Sequence, residues 1–407
     1  MKRVILLAAV LVFGVAVAVS AQEVKEATTE SIETRLTKTE KRTAALEKAK
    51  QYVNLSGFIQ GEYDWLDDGT NGNTTGSSSF YIRRLRFTVS GDLYKGKAGK
   101  LDYRAYFDLA RIKKDNPNPI LDMWIRYQPV KEFGIQFGQF KNPITFEASI
   151  SPSKYDFIDF SYAVSNLAKM SSNDVAGLNV TARDIGFQLF GGFIHRDGYS
   201  ILNYNVGLVN GSGINTKDNN KSKDIFARLT VKPTIDFAIA AYYQWGEANM
   251  SNFTAEKYAE YGWTGSAEYV TMHRWGGGFN YDGKKAFARG EYIAGLTGSL
   301  ASEGAYIEGG KRFNLSNDKG MIWAGAMVDY FCRNCFDYIH RDTKNAAIDM
   351  RYSLCVGYTP FKYLRIQLAY SLEHRINHNL SESTACCKWK SYRDFGNGVK
   401  LMVTAAF

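Results

Sequence analysis

From Gln51 onward, apolar and polar side chains alternate one by one in long runs. Val53, Leu55, Gly57, Ile59, Gly61, Tyr63 and Trp65 share one parity, and Asn54, Ser56, Gln60, Glu62 and Asp64 share the other. The same period recurs near 100–111, 120–129, 224–233 and 362–375, as in Leu121, Met123, Ile125 and Tyr127 set against Asp122, Trp124, Arg126 and Gln128. A period of two with one oily and one polar face predicts β-strands. These runs are roughly 10–14 residues long. Strands of soluble proteins are usually ~5–6 residues, whereas a tilted strand that crosses a bilayer needs about 9–11. The apolar parity is nearly free of charge through its middle, as lipid contact requires.

The connections alternate in kind. Tyr94–Gly99, Val130–Glu132, Arg196–Tyr199, Pro233–Thr234, Asp282–Lys284, Leu315–Lys319 and Thr359–Phe361 read as tight turns. Between them lie longer polar stretches: Asp67–Ser78, Asn142–Ala182, Gly211–Lys223, Ala248–Ser266, Asn334–Asn345 and Ile376–Arg393. Two shorter links, Ile112–Asn118 and Gly298–Glu303, fill the same phase. Short periplasmic turns alternating with longer outer loops predict an all-β, sixteen-stranded antiparallel transmembrane barrel in the outer membrane, with outer-membrane lipid around it. The last strand ends Val399, Leu401, Val403, Ala405, Phe407. This resembles the C-terminal signal read by the barrel assembly machinery.

Ahead of the barrel (51–407) two segments stand apart. Residues 1–21 carry Lys2 and Arg3, an apolar run from Val4 to Val19 and a small-residue cut at Val19-Ser20-Ala21, the pattern of a cleaved signal peptide. Residues 22–50 place Ile32, Leu36, Thr39, Thr43 and Leu46 at spacings of four and three. They read as a periplasmic helical leader, either solvated or a short trimerising coiled coil.

Composition adds little that contradicts this. Mean hydropathy is −0.29 over 407 residues, which an alternating barrel shares with soluble proteins, and 26 Tyr and 25 Phe suit aromatic girdles. The formal net charge is +9, but no basic cluster points to nucleic acid, and export argues against that partner.

Several stretches resemble the phosphate-selective porin O/P family: Gly138-Gln139-Phe140-Lys141-Asn142-Pro143, Arg183-Asp184-Ile185-Gly186-Phe187-Gln188, Asn210-Gly211-Ser212-Gly213-Ile214-Asn215, and the paired Arg83-Arg84 ahead of Leu85-Arg86-Phe87. The resemblance implies a homotrimeric porin passing small anions, phosphate or polyphosphate in the best-known members, with Arg along the channel and Lys at a constriction made by an infolded loop. Strand parity puts Arg84, Arg86, Arg104, Arg126, Arg228, Lys232, Arg289, Arg351 and Arg365 on the lumen side. Lys141 stands where the chain leaves a strand into 142–182, the longest loop and the one expected to fold inward. Guanidinium forks suit phosphate oxygens, and rings of Arg or Lys are the expected anion filter.

Asp64, Asp102, Asp108, Asp122, Asp236, Glu291, Asp349 and Glu373 share that lumen parity, so each interior Arg reads first as half of a wall pair and only second as an ion-binding group. Phosphate preference rests on the resemblance alone. A general or sugar-type porin on the same scaffold stays open. A barrel enzyme is the third class, but no nucleophile elbow or phosphate loop occurs among the motifs. No cofactor, metal or catalytic residue is expected. Cys332 and Cys335, with Cys386 and Cys387 in the neighbouring outer loop, are candidate loop disulfides, with zinc binding or free thiols as alternatives. Cys355 falls mid-strand on the lumen parity.

Overall fold

The computed structural model describes residues 32–67, 76–112, 118–170, 175, 181–218, 220–250, 269–298, 300–316, 319–333, 347–376 and 393–407. The signal peptide expected over 1–21 lies outside them. Ahead of Asn54, a unit distinct from the barrel contains helix α1 (Ile32–Tyr52), whose seam positions Leu36, Thr39 and Thr43 are exposed.

The remaining unit is a barrel of sixteen strands: β1 (Asn54–Asp67), β2 (Ser77–Gly96), β3 (Gly99–Asp108), β4 (Ile120–Val130), β5 (Phe133–Lys141), β6 (Arg183–Arg196), β7 (Tyr199–Val209), β8 (Asp224–Val231), β9 (Phe237–Asn249), β10 (Tyr269–Asp282), β11 (Ala286–Thr297), β12 (Leu300–Asn314), β13 (Met321–Arg333), β14 (Ala347–Phe361), β15 (Leu364–Ile376) and β16 (Arg393–Ala406). Each strand pairs antiparallel with the next, and β1 closes the sheet on β16, with Phe58 opposite Ala406 and Tyr63 opposite Leu401.

The two parities separate as lipid and water require. Ile59, Ile125, Leu229, Ile307, Leu354 and Leu368 face outward and are exposed, while Gln60, Glu62, Asp102, Arg228 and Glu308 point inward and are buried. Outward aromatics gather near the short turns (Tyr127, Phe133, Tyr281, Phe313, Phe361, Tyr363) and near the loop ends (Phe80, Trp245, Tyr292, Phe395), forming two girdles. The closing seam has a specific fit. Phe407 N–H donates to Gly57 O (2.9 Å) and Gly57 N–H donates to Phe407 O (3.0 Å). A Cβ on Gly57 would lie 2.5 Å from the Phe407 ring and 2.6 Å from the carbonyl oxygen of Arg86.

Some boundaries differ from those the pattern predicts. The run near 100–111 ends at Asp108, because Leu109–Arg111 winds into a single 3₁₀ turn. The link expected over Gly298–Glu303 is shorter, since β12 begins at Leu300. The turn expected over Tyr94–Gly99 narrows to two residues between Gly96 and Gly99.

Between β5 and β6 the long loop turns inward and carries α2 (Phe146–Ser149) and α3 (Tyr162–Leu167). Ala148, Ala163, Val164 and Leu167 are almost fully buried, packed with Ile293, Leu300 and Phe331 of the wall. Thr145 caps α2 by accepting the Ala148 N–H (3.0 Å), and Ser161 caps α3 by accepting the Val164 N–H (3.2 Å).

Candidate functional site: a basic constriction beside the infolded loop

Gly138 starts the loop's approach. Its φ of +127° is one that other residues rarely adopt, and a Cβ there would sit 2.2 Å from Met123 O on β4. The next residue, Gln139, donates to Leu121 O (2.8 Å) and Asn215 Oδ1 (3.0 Å) and accepts the Asn215 N–H (2.7 Å). The Gly-Gln-Phe-Lys motif thus ties the loop between β7 and β8 to the neck of the infolded one. Asn142 N–H donates to Ala182 O (2.8 Å), closing that neck.

Past the neck, the loop crosses to the opposite wall. The N–H groups of Phe146 and Glu147 donate to the two oxygens of Glu291 on β11 (2.7 and 3.0 Å). The Tyr162 N–H donates to Asp329 of β13 (3.1 Å), and Arg351 of β14 donates to Phe160 O (2.6 Å). Asp156 accepts from Arg312 (3.1 Å) and Arg365 (3.2 Å). Asp159 reaches Arg83 of β2 (2.7 Å) and Lys400 of β16 (2.5 Å).

Within the loop, Tyr155 Oη lies between the carboxyls of Glu147 and Glu308, the latter at 2.8 Å. A phenol has one proton, so one of the two carboxyls must be protonated for both contacts to be hydrogen bonds. Glu308 pairs with the Arg289 guanidinium. Glu147 instead accepts from Ser161 N–H (2.9 Å) and Ser161 Oγ (2.6 Å), both neutral donors. The two carboxyls share that proton through Tyr155, and burial pushes the Glu147 carboxyl up to about 7 from 4.5. The folded loop then holds a proton that the released loop gives up between these values. Its anchoring is strongest in acid, weakens as pH rises through that window and is constant above it. Open-channel current noise is expected to grow between about pH 5 and pH 8 in single-channel recordings and to stay flat in Glu147→Gln.

A cavity of ≈ 400 Å³ opens beside the loop. Seven basic side chains line it (Arg83, Arg84, Arg86, Lys141, Arg183, Arg351 and Lys400) against two carboxylates, Asp159 and Glu373. Burial by itself would raise the Asp159 carboxyl, but Arg83, Lys400 and Arg351 outweigh it and hold the group well below the usual carboxylate range.

The expected lumen cations divide into two sets. Arg86 pairs with Asp108 (2.7 Å), Arg126 with both oxygens of Asp102 (2.9 and 2.6 Å), Arg351 with Asp329 (2.8 Å), Arg365 with Asp156, and Arg289 with Glu308. Arg104 lies a looser 3.6 Å from Asp122, which Arg183 takes at 2.6 Å. The second set rests on neutral acceptors. Arg84 donates to Gln60 Oε1 (2.8 Å), Lys141 donates to Ala148 O, and Arg228 donates to Pro143 O (3.0 Å) and Thr145 O (3.2 Å). These charges are not cancelled by a hydrogen-bonded carboxylate. Arg228 and Lys232 line a second cavity of ≈ 320 Å³ nearer the turns, with Asn203, Asn205, Thr230 and Asn280.

Residues 53–236 match the phosphate-selective porin O and P family. With the barrel around them, they make the chain an outer-membrane porin. No curated protein matches by sequence. Solved structures share the porin's fold at low identity. A Pseudomonas putida OprB structure aligns with a TM-score of 0.61 and 12% identity, covering 89% of this chain and 96% of that one. An anion-selective porin from Comamonas acidovorans aligns at 0.59 and 9%, covering 87% and 99%. The trimer form of OmpT from Vibrio cholerae aligns at 0.59 and 13%, also covering 87% and 99%.

Parity reasoning missed part of the porin's constriction. Arg83 belongs to the wrong parity, but the β1–β2 register skips it: Gln60 faces Arg84 and Gly61 faces Ile82. This bulge turns two consecutive Arg inward. The pair Arg83-Arg84 between alternating neighbours was the available signal. Lys400 lies on the inward parity of β16, Arg183 directly follows the loop, and Asp159 had no periodic signal. Cys332 is buried at the end of β13 and disulfide-bonded, while Cys355 is a buried free thiol. Cys335, Cys386 and Cys387, and hence the pairing, lie outside the described residues.

Proposed function

We propose that this porin is a homotrimeric passive channel for small oxyanions, with inorganic phosphate as its preferred class of solute. The observation that carries the reading is the basic lining of the ≈ 400 Å³ cavity beside the loop, where Arg83, Arg86, Arg183 and Arg351 hold carboxylates of the wall or loop while Arg84 and Lys141 are hydrogen-bonded to neutral acceptors. An excess of fixed positive charge against low-dielectric walls concentrates anions and repels cations. Arg84 and Lys141 add to it because their present partners are uncharged acceptors that an incoming anion can replace. Guanidinium groups offer a phosphate two parallel donors where chloride takes only one. The trimer form of a protein with the same fold supports the assembly.

Reversal potential in a KCl gradient across a planar bilayer tests the charge preference, and zero-current voltage is expected near the chloride limit. Added phosphate is expected to block chloride current at millimolar levels or below. Reversal toward the potassium limit would reject the reading. The amide-rich second cavity favours one other solute class, hydroxylated neutral molecules. Block by oligosaccharides without block by phosphate would select it.

A further inference from the structure

We propose that the outer wall of the porin carries a seat for one acyl chain of lipopolysaccharide, in a groove floored by Gly61 on the face made by β16, β1 and β2. The site is on the bilayer side of the wall and does not depend on which solute the channel passes.

The groove offers ≈ 410 Å³, within the range of about 300–1,000 Å³ usual for small-molecule sites. Outward side chains make its rim: Tyr63 on β1, Phe80 and Ile82 on β2, Leu401 and Val403 on β16. Phe80 and Ile82 are 82% and 58% exposed, so the chain itself leaves them uncovered. Two features of the sequence open the gap. Gly61 stands between Ile82 and Val403 with no side chain. Among the described residues, apart from its sequence neighbours, no atom lies within 4 Å of the place its Cβ would take. The β2 bulge that brings Arg83 and Arg84 inward also sets Ile82 and Leu85, successive outward residues, three positions apart instead of two. A glycine inside a strand weakens it, and no crowding within the chain calls for this one. Such a glycine marks a place that a ligand approaches closely.

The chemistry of the two ends of the groove names the occupant. Its trough is apolar and continuous with the wall that faces lipid. Glu62 and Tyr81, the polar residues beside it, alternate inward and satisfy each other, Tyr81 Oη donating to Glu62 Oε1 (2.8 Å). At the loop end the Tyr63 and Phe80 rings pack with centroids 4.5 Å apart. There Tyr63 Oη accepts from Ser78 Oγ (3.1 Å), which leaves its own hydrogen for an acceptor outside the chain. A hydroxyl donor at the aromatic girdle above an apolar trough matches a fatty acyl chain with its ester or amide carbonyl. A second convex barrel would bridge the notch at Gly61, whereas a methylene chain lies along it. The groove occupies the loop half of β1 (Asn54–Asp67), so its leaflet is the outer one, which is built of lipopolysaccharide.

The test is native mass spectrometry of the full-length porin, refolded in detergent and titrated with purified lipopolysaccharide, with phosphatidylethanolamine as the competing arm. The wild type is expected to hold one lipopolysaccharide per protomer in preference to the phospholipid. Gly61→Leu fills the trough without a clash, so it should close normally and lose about tenfold or more in lipopolysaccharide affinity, the worth of a few displaced methylenes. Tyr63→Phe deletes the hydroxyl, keeps the ring and should lose about fivefold, the worth of one net hydrogen bond. Equal affinity in the wild type and Gly61→Leu would overturn the proposal, as would equal affinity for the phospholipid. A Gly61→Leu porin that falls to monomers with its lipid binding intact would overturn it too, since a second copy would then be the occupant. Should Gly61→Leu fail to close, unchanged affinity in Tyr63→Phe would overturn it.

Discussion

Gly57→Val is expected to leave almost no closed barrel, read as the loss of the compact, SDS-resistant form on unboiled gels. The added methyls would meet the Phe407 ring and the Arg86 carbonyl oxygen at once. The ring can swing away, but the backbone oxygen belongs to the β1–β2 ladder and cannot. Overpacking of this kind typically costs about 1–3 kcal/mol, and here it also sacrifices the two hydrogen bonds that join Gly57 to Phe407 across the last seam. Phe407→Ala removes the ring and keeps those bonds, so purified protein should still close when refolded in detergent. The double variant should recover only part of the loss, because the Arg86 contact remains.

Arg84→Glu should produce the largest change in selectivity of any single lumen substitution. Its guanidinium rests on Gln60, so reversing its sign breaks no ion pair in the wall. One unit charge at ~4 Å in a watery site is worth about 1 kcal/mol, and a sign reversal about twice that, so the permeability ratio should move toward cations by roughly thirtyfold. Arg126→Glu is the control. That cation is neutralised by both oxygens of Asp102 and sits apart from the constriction, so its loss should damage folding yield more than selectivity. Reversal potentials of the two variants in the same salt gradient make the comparison.

The barrel was legible because lipid outside and water inside impose a period of two on every strand. Ile59 and Gln60, or Leu354 and Cys355, can be assigned to opposite sides from neighbours alone. Parity stops at the wall. It placed Arg86, Arg126 and Arg351 inward but could not name Asp108, Asp102 and Asp329 as their partners, since those contacts depend on register and on the stagger between strands. It failed at Arg83, where one extra residue in β2 changes the phase. The loop's inward course was anticipated from its length. Its route was not, because the groups that receive it lie on strands far along the chain, as with Phe146 and Glu291.

That remoteness has a consequence for how the channel is born. The segment that matches the porin family ends at residue 236 and includes the whole loop, yet Glu291, Glu308, Asp329 and Arg351, which receive the loop, all follow it. During synthesis the narrowing element emerges long before its dock, and closure over such separations is slow. Until β11 to β14 are in place, nothing on the far wall can hold the loop, so a truncated chain that still inserted would be expected to form a wide and weakly discriminating hole. The filter is therefore completed by the half of the protein that contributes fewest of its charges.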